Sequence, residues 1–306
     1  MPPKTAYRKK RGYKKRKRTA VKSVAQVKKI AKSVIYKEAE SKYMNTSDHN
    51  ERQVFPIQTA GNMTCLGFTT GDELDAVAGS NYQYGTGSMR PLNVHRVFDR
   101  GGSDPTSYQS LEGFYATPTF CQSRFTIERT ITNTGNQNTP AQVLPYYCRV
   151  LRLVPRPRKS SNQSVQPNLD AFLDEQGLPT GVFVAGFDKL KLMTYKVNTR
   201  KYSVKLDTKF LMNTPCNFNT LDIAAGTTNA SVNGGSLRTM NFVHDIGKKL
   251  FYKSPDASPN PNYPSSGFKN EFILFHFQTL GDNAGIRNVS NNIRISANAV
   301  SAFKDI

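Results

Sequence analysis

Phe272-Ile273-Leu274-Phe275-His276-Phe277 is apolar at both strand parities. A half-buried strand alternates apolar and polar residues, because successive side chains point to opposite faces. This run lacks that alternation, so it reads as a central strand covered on two sides. His276, its one polar member, reads as a packed or interface histidine before it reads as a base.

Outward from this run, the same kind of segment recurs from Glu51 onward. Short stretches rich in Val, Ile, Thr, Tyr and Phe lie between turn signals. Strands are expected over 53–59, 63–69, 121–133, 146–154, 192–198, 202–212, 237–252, 271–280 and 292–302. Alternation is explicit where Phe125 and Ile127 stand against Thr126 and Glu128. It recurs where Ile293, Ile295 and Ala297 stand against Arg294, Ser296 and Asn298. Between the strands lie long connections, 70–118, 155–190, 213–236 and 253–270. The last holds Pro255, Pro259, Pro261 and Pro264 and is expected to be an exposed loop without helix or strand. Connection 155–190 is expected to hold one short helix, 168–176, capped by Asn168 and stopped by Gly177 and Pro179. The fold class that suits this pattern is all-β. A single jelly roll of two packed antiparallel sheets with eight to nine strands is expected over 43–306, since its Greek-key crossings require long connections.

The front of the chain is different. Residues 1–18 contain ten Lys or Arg and no acid. Charges at that density repel and cannot be buried, so 1–18 reads as a disordered polybasic arm. Residues 1–42 carry 16 basic and 2 acidic side chains, leaving 26 basic and 20 acidic for the rest, or +14 against +6. Such a split describes a tail that binds a polyanion and a body that folds, and the commonest cellular polyanion is nucleic acid. The expected phosphate contacts are Arg8, Lys9, Lys10, Arg11, Lys14, Lys15, Arg16, Lys17 and Arg18. The arm has no rigid pair with which to read bases. Tyr7 and Tyr13 are available to stack on unpaired bases. The same nine basic residues also match a nuclear import signal, which implies a host import receptor as partner.

Residues 19–42 show helical spacing. Val24, Val27, Ile30, Ala31, Val34 and Ile35 share one side, and Lys22, Lys28, Lys29, Lys32 and Lys37 the other. Thr19 is the expected N-cap. Such a basic amphipathic helix has three uses: docking under the body with its lysines toward nucleic acid, packing on a neighbouring subunit, or lying on a membrane. On the first, Lys22, Lys28, Lys29 and Lys32 form a second layer of phosphate contacts.

Sites of other chemistry find little support. Cys65, Cys121, Cys148 and Cys216 form no C-x-x-C pair and have no histidine at ligand spacing, so reduced buried thiols are expected and no metal. His49, His95, His244 and His276 fall in no H-x-H, H-E-x-x-H or G-x-S-x-G pattern. Asp72-Glu73-Leu74-Asp75 reads as an exposed acidic loop before it reads as a calcium site. No enzyme and no cofactor are expected. The basic start is followed by no apolar run, so no secretory signal is expected, and no stretch of about 18 apolar residues would span a membrane.

Three further stretches belong together. Tyr146-Tyr147-Cys148-Arg149-Val150-Leu151-Arg152-Leu153-Val154-Pro155-Arg156 is a basic, aromatic strand ahead of a long loop. Lys201-Tyr202-Ser203-Val204-Lys205-Leu206-Asp207-Thr208-Lys209-Phe210 follows K-Y-x-V-x-x-D-x-x-F. The chain closes on Ser301-Ala302-Phe303-Lys304-Asp305. In this order, behind a polybasic arm and in a chain without tryptophan, they resemble the capsid proteins of small circular single-stranded-DNA viruses that encode a replication initiator, the circovirus-like CRESS-DNA group. The resemblance implies a T=1 shell of sixty single-jelly-roll subunits around a single-stranded DNA genome. It also implies a virion location with a nuclear stage during assembly, and a cell-surface receptor of unknown identity. Arg149, Arg152, Arg156 and Arg158 become candidates for the inner wall, with exposed strand or loop charges as their alternative role. The rival classes are a non-viral DNA- or RNA-binding β domain with a basic tail and a carbohydrate-binding jelly roll.

Overall fold

A computed structural model describes residues 23–39, 41–45, 53–54, 63–71, 83–84, 87–97, 99–100, 110–111, 113–129, 145–156, 166–184, 187, 190–213, 216–218, 230–232, 234–246, 249–253, 262–279 and 293–305. The chain divides into two compact units, Met1–Ala39 and Glu40–Ile306.

The first unit contains one helix, α1 (Val24–Glu38). Ser23 caps it: the Gln26 N–H donates to Ser23 Oγ at 3.3 Å, and the Ser23 N–H donates to Gln26 Oε1 at 3.0 Å. This reciprocal capping box satisfies two helix-end donors and starts the helix later than an N-cap at Thr19 would. Thr19 itself lies outside the described residues. Among the described residues no helix is long and apolar enough to cross a membrane.

The second unit is built on eight strands: β1 (Ser41–Asn45), β2 (Met63–Thr69), β3 (Tyr115–Arg129), β4 (Tyr146–Pro155), β5 (Tyr202–Met212), β6 (Leu237–Val243), β7 (Phe272–Thr279) and β8 (Ile293–Asp305). They form two antiparallel sheets, ordered β1-β8-β3-β6 and β2-β7-β4-β5. First pairs with last, second with seventh, third with sixth and fourth with fifth. This is a long antiparallel hairpin wrapped on itself, the jelly-roll topology. Every step between consecutive strands except β4 to β5 crosses from one sheet to the other, which is why most of the connections are long.

Alternation makes the sandwich. On β3, Cys121, Ser123, Phe125 and Ile127 point inward, and on β8 Ile293, Ile295, Ala297 and Ala299 do the same. They meet Leu66, Phe68, Cys148, Val150, Ile273, Phe275 and Phe277 of the second sheet. Edge-on rings fill the centre, with Phe68 5.0 Å from Phe125. The opposite face of the second sheet is also buried. Leu151, Leu153, Phe272 and Leu274 pack under Ala171, Phe172, Val182, Leu192, Met193 and Val197. The excursion between β4 and β5 is therefore a lid on that sheet, and the 272–277 run is covered on both sides as its composition implies. Tyr84 completes the cover over Gly67, where an added Cβ would sit 2.8 Å from the Tyr84 Cβ.

Several expectations are corrected. The 121–133 strand begins at Tyr115. The 192–198 segment is a 3-10 turn, Leu190–Met193, followed by the short strand Lys196–Val197, because Arg149 takes the carbonyls of Leu192 and Tyr195. The 168–176 helix is a single turn, Pro167–Asp170, capped at Gln166 rather than Asn168. The buried Asp170 carboxylate accepts from Tyr202 Oη at 2.5 Å and pairs with Lys201, and Phe172 already joins a ladder with Val197 and Thr180. The 237–252 strand breaks after Val243, where His244 turns inward, and resumes as Leu250–Tyr252. Pro264–Ser266 pairs with Leu250–Tyr252, so 253–270 is not wholly a loop. Ser41–Asn45 is a strand in register with Lys304 to Val300, beyond the end of the helix expected to reach residue 42.

Candidate nucleic-acid interface

Lys28, Lys29 and Lys32 are exposed on α1, and its first turn carries no acid. Lys28 and Lys32 stand one turn apart, so their ammonium groups share a side. Val24, Val27, Ile30, Val34 and Ile35 are exposed as well, and the helix is amphipathic. The remaining expected contacts in the arm and helix, Arg8, Lys9, Lys10, Arg11, Lys14, Lys15, Arg16, Lys17, Arg18 and Lys22, lie outside the described residues, as does Arg158.

The β4 arginines do not belong to this surface. Arg149 is buried, and its guanidinium is consumed by the protein. Nε and Nη2 donate to the two oxygens of Asp207 at 2.9 and 2.7 Å, and Nη1 donates to the Leu192 and Tyr195 carbonyls at 2.5 and 2.9 Å. A planar fork with fixed donors suits this bidentate task. The residue clamps the lid onto the second sheet and has no donor aimed at a phosphate. Arg152 lies between the sheets. It donates to both oxygens of Glu271 at 2.6 and 3.1 Å and to the Val243 carbonyl at 2.5 Å. Inner-wall roles for Arg149 and Arg152 are therefore withdrawn. Arg156, just beyond β4, is exposed and remains a candidate.

Sequence spacing did not reveal the buried polar centre around Glu271. Ser123 Oγ lies 2.7 Å from His244 Nε2, and His244 Nδ1 lies 2.8 Å from Glu271 Oε2. The order hydroxyl, imidazole, carboxylate is that of a nucleophile relay. Here Ser123, His244 and Glu271 are all buried, leaving no approach for a substrate carbonyl. The set works as a cross-sheet tie, joining β3 and the end of β6 to the β4–β7 pair. Burial alone would push the Glu271 carboxyl up. Hydrogen bonds from His244 and Arg152, with their charge, outweigh that and hold it at about 2. Buried His95 and His276 are kept neutral by desolvation, lowered to about 4 and about 3. His276 Nδ1 lies 3.0 Å from the Arg149 carbonyl and its Nε2 meets the Tyr84 hydroxyl. Both ring nitrogens are engaged, as befits a packed histidine. The signal available in the sequence was weak: His244 lies inside the expected strand 237–252 and Glu271 opens the next, 27 positions apart.

No family model matches the chain and no curated protein does. Among solved structures, a chain of Desmodium yellow mottle tymovirus aligns over 88% of this chain and 88% of its own, with 6% identity and a TM-score of 0.28. A likeness at that level carries no weight for fold or function, and the fold assignment rests on the strand order itself.

Proposed function

We propose that the chain is a viral capsid subunit that self-assembles through its jelly roll and packages circular single-stranded DNA through its basic front segment. The observation that carries this reading is the division of charge against the division of fold. A net +14 lies within residues 1–42, and +6 within residues 43–306, which hold the β sandwich. Inside that sandwich, arginines of the middle strand are neutralised by their own carboxylates. A β sandwich and a polycation in one sequence supply wall and counterion together. In a T=1 shell, as the sequence resemblance implies, sixty arms would bring roughly 840 positive charges to the interior, enough to offset much of a small genome. Each neutralised phosphate releases counterions, so packaging needs neither enzyme nor base readout. The same clusters, Arg8 to Arg11 and Lys14 to Arg18, serve nuclear import before assembly.

Negative-stain microscopy of the purified full-length chain tests the wall: uniform small shells are expected, and monomers at every concentration point instead to a nucleic-acid-binding β domain. Removal of residues 1–18 tests the arm. Salt-sensitive DNA binding is expected to vanish while the β signature in circular dichroism stays. A cytoplasmic reporter fused to residues 1–18 is expected to enter the nucleus.

A further inference from the structure

We propose that the outer face of the first sheet carries a stacking site for unpaired bases, built on Tyr115, Phe251 and Lys249, where the basic segment joins the fold. The inference rests on the packaging reading and adds to it a place on the wall itself. The chain enters the second unit at Ser41, in register with Lys304 of β8, and Lys304 is in register with Thr117 of β3. Two residues back on the same face stands Tyr115, and directly across from it stands Phe251.

The two rings lie 5.1 Å apart at 47°, and Tyr115 is 42% exposed. Phe114, beside it, is 49% exposed. Tyr115 and Phe114 together present aromatic surface to solvent at the sheet end, with the half-buried Phe251 ring beside Tyr115. The exposed Lys249 places its Nζ 4.1 Å from the Tyr115 centroid. A cation resting on a ring face is held there by the ring quadrupole. An arriving base takes the same face by stacking, and the displaced ammonium reaches the adjoining phosphate. Asp305, the nearest acid on β8, is paired with Lys42 at 3.5 Å, so it does not oppose a polyanion.

Charge selects the occupant. A second copy of this surface would bring another Lys249, another Lys304 and another arm of like charge. A single strand of nucleic acid brings the opposite charge and π faces at regular spacing. The front segment is covalently joined to the sheet that carries these rings, through Ser41 of β1, so a strand that it neutralises is kept at high local concentration near them. Duplex ends its π faces inside the stack, so the site discriminates for unpaired bases.

The test uses the full-length chain and a fluorescein-labelled oligo(dT) of about 20 nucleotides. Tyr115→Ala is expected to weaken binding roughly tenfold with the salt slope unchanged, because stacking releases no counterions. Tyr115→Phe is expected to keep wild-type affinity. Lys249→Gln is expected to lower the slope by about 0.7. A bromodeoxyuridine oligonucleotide irradiated with the unmodified chain is expected to cross-link within 113–120 or 249–253, a readout independent of any variant. Wild-type affinity in Tyr115→Ala, or no cross-link in either segment, overturns the site. Loss of shells in Tyr115→Ala with DNA affinity intact overturns it too, and assigns the rings to a contact between copies. Unchanged binding after removal of residues 1–18 would instead defeat the packaging reading, which separates the two failures.

Discussion

Helix α1 and strand β4 both carry basic side chains at regular spacing, yet they use them in opposite ways. On the helix, Lys28, Lys29 and Lys32 are exposed and no acid occupies the first turn. On the strand, Arg149 and Arg152 each grip a carboxylate through two nitrogens and also bind backbone carbonyls. The difference is one of neighbours. A strand in the middle of a sheet has covered faces, and a guanidinium there persists only if acceptors surround it. A lysine on an open helix keeps its hydration and its availability.

The sharpest break of this contrast is Arg152→Ala. It leaves the buried Glu271 carboxylate with His244 as its remaining side-chain partner, and a loss of about 3–5 kcal/mol is expected in urea unfolding. Adding Glu271→Gln should restore part of it, because the buried charge that lost its guanidinium is gone. Arg149→Ala is expected to cost less, about 2 kcal/mol. Its partner Asp207 is 31% exposed and can rehydrate, leaving mainly the Leu192 and Tyr195 carbonyls without a donor. Limited proteolysis should then cut near 190–198, where the wild type resists.

Acidification sharpens the contrast next. His95 and His276 have folded values of about 4 and about 3, below the ordinary 6.5. Between those limits the unfolded chain binds protons that the fold refuses, so stability falls as pH drops below about 6.5. At pH 5.5 the loss is expected near 1 kcal/mol for each histidine. The Glu271 contribution, present above about 4.5, goes only as pH falls toward 2. A urea midpoint that stays level from pH 7.5 to 5.5 would refute the neutral histidines. Smallest in stability is the triple change of Lys28, Lys29 and Lys32 to Ala, expected within about 0.5 kcal/mol of wild type. Its effect should surface elsewhere, as a salt slope for oligo(dT) lower by about 2.

Strand-forming segments were readable wherever alternation or continuous apolarity lay within the segment itself. Met63–Thr69 and Tyr202–Met212 coincide with their expected bounds, and the 272–277 run foretold a sheet covered on both faces. What escaped depends on distant partners. Ser41–Asn45 carries no strand pattern of its own and is extended because β8 offers it a ladder. The first residues of β3, Tyr115 to Pro118, fall in the expected connection 70–118, and Pro118 is the one among them least suited to a strand. It is accommodated where β8 shifts register between Ala302 and Phe303, as proline in a sheet requires an edge or an irregularity. The arginines of β4 were misread for the same reason. Charge in a strand reads as exposure until Asp207 and Glu271, 58 and 119 positions away, are brought alongside.

The pairing of β1 with β8 links residues 263 positions apart, as the Lys42–Asp305 ion pair records. A contact of that span forms only after much of the intervening chain has been brought together, since loop-closure entropy opposes it until other strands are in place. The ladder that holds Ser41–Asn45 extended is therefore expected among the last to close in folding and among the first to open, and hydrogen exchange should find the amides of β1 less protected than those of β3 or β7.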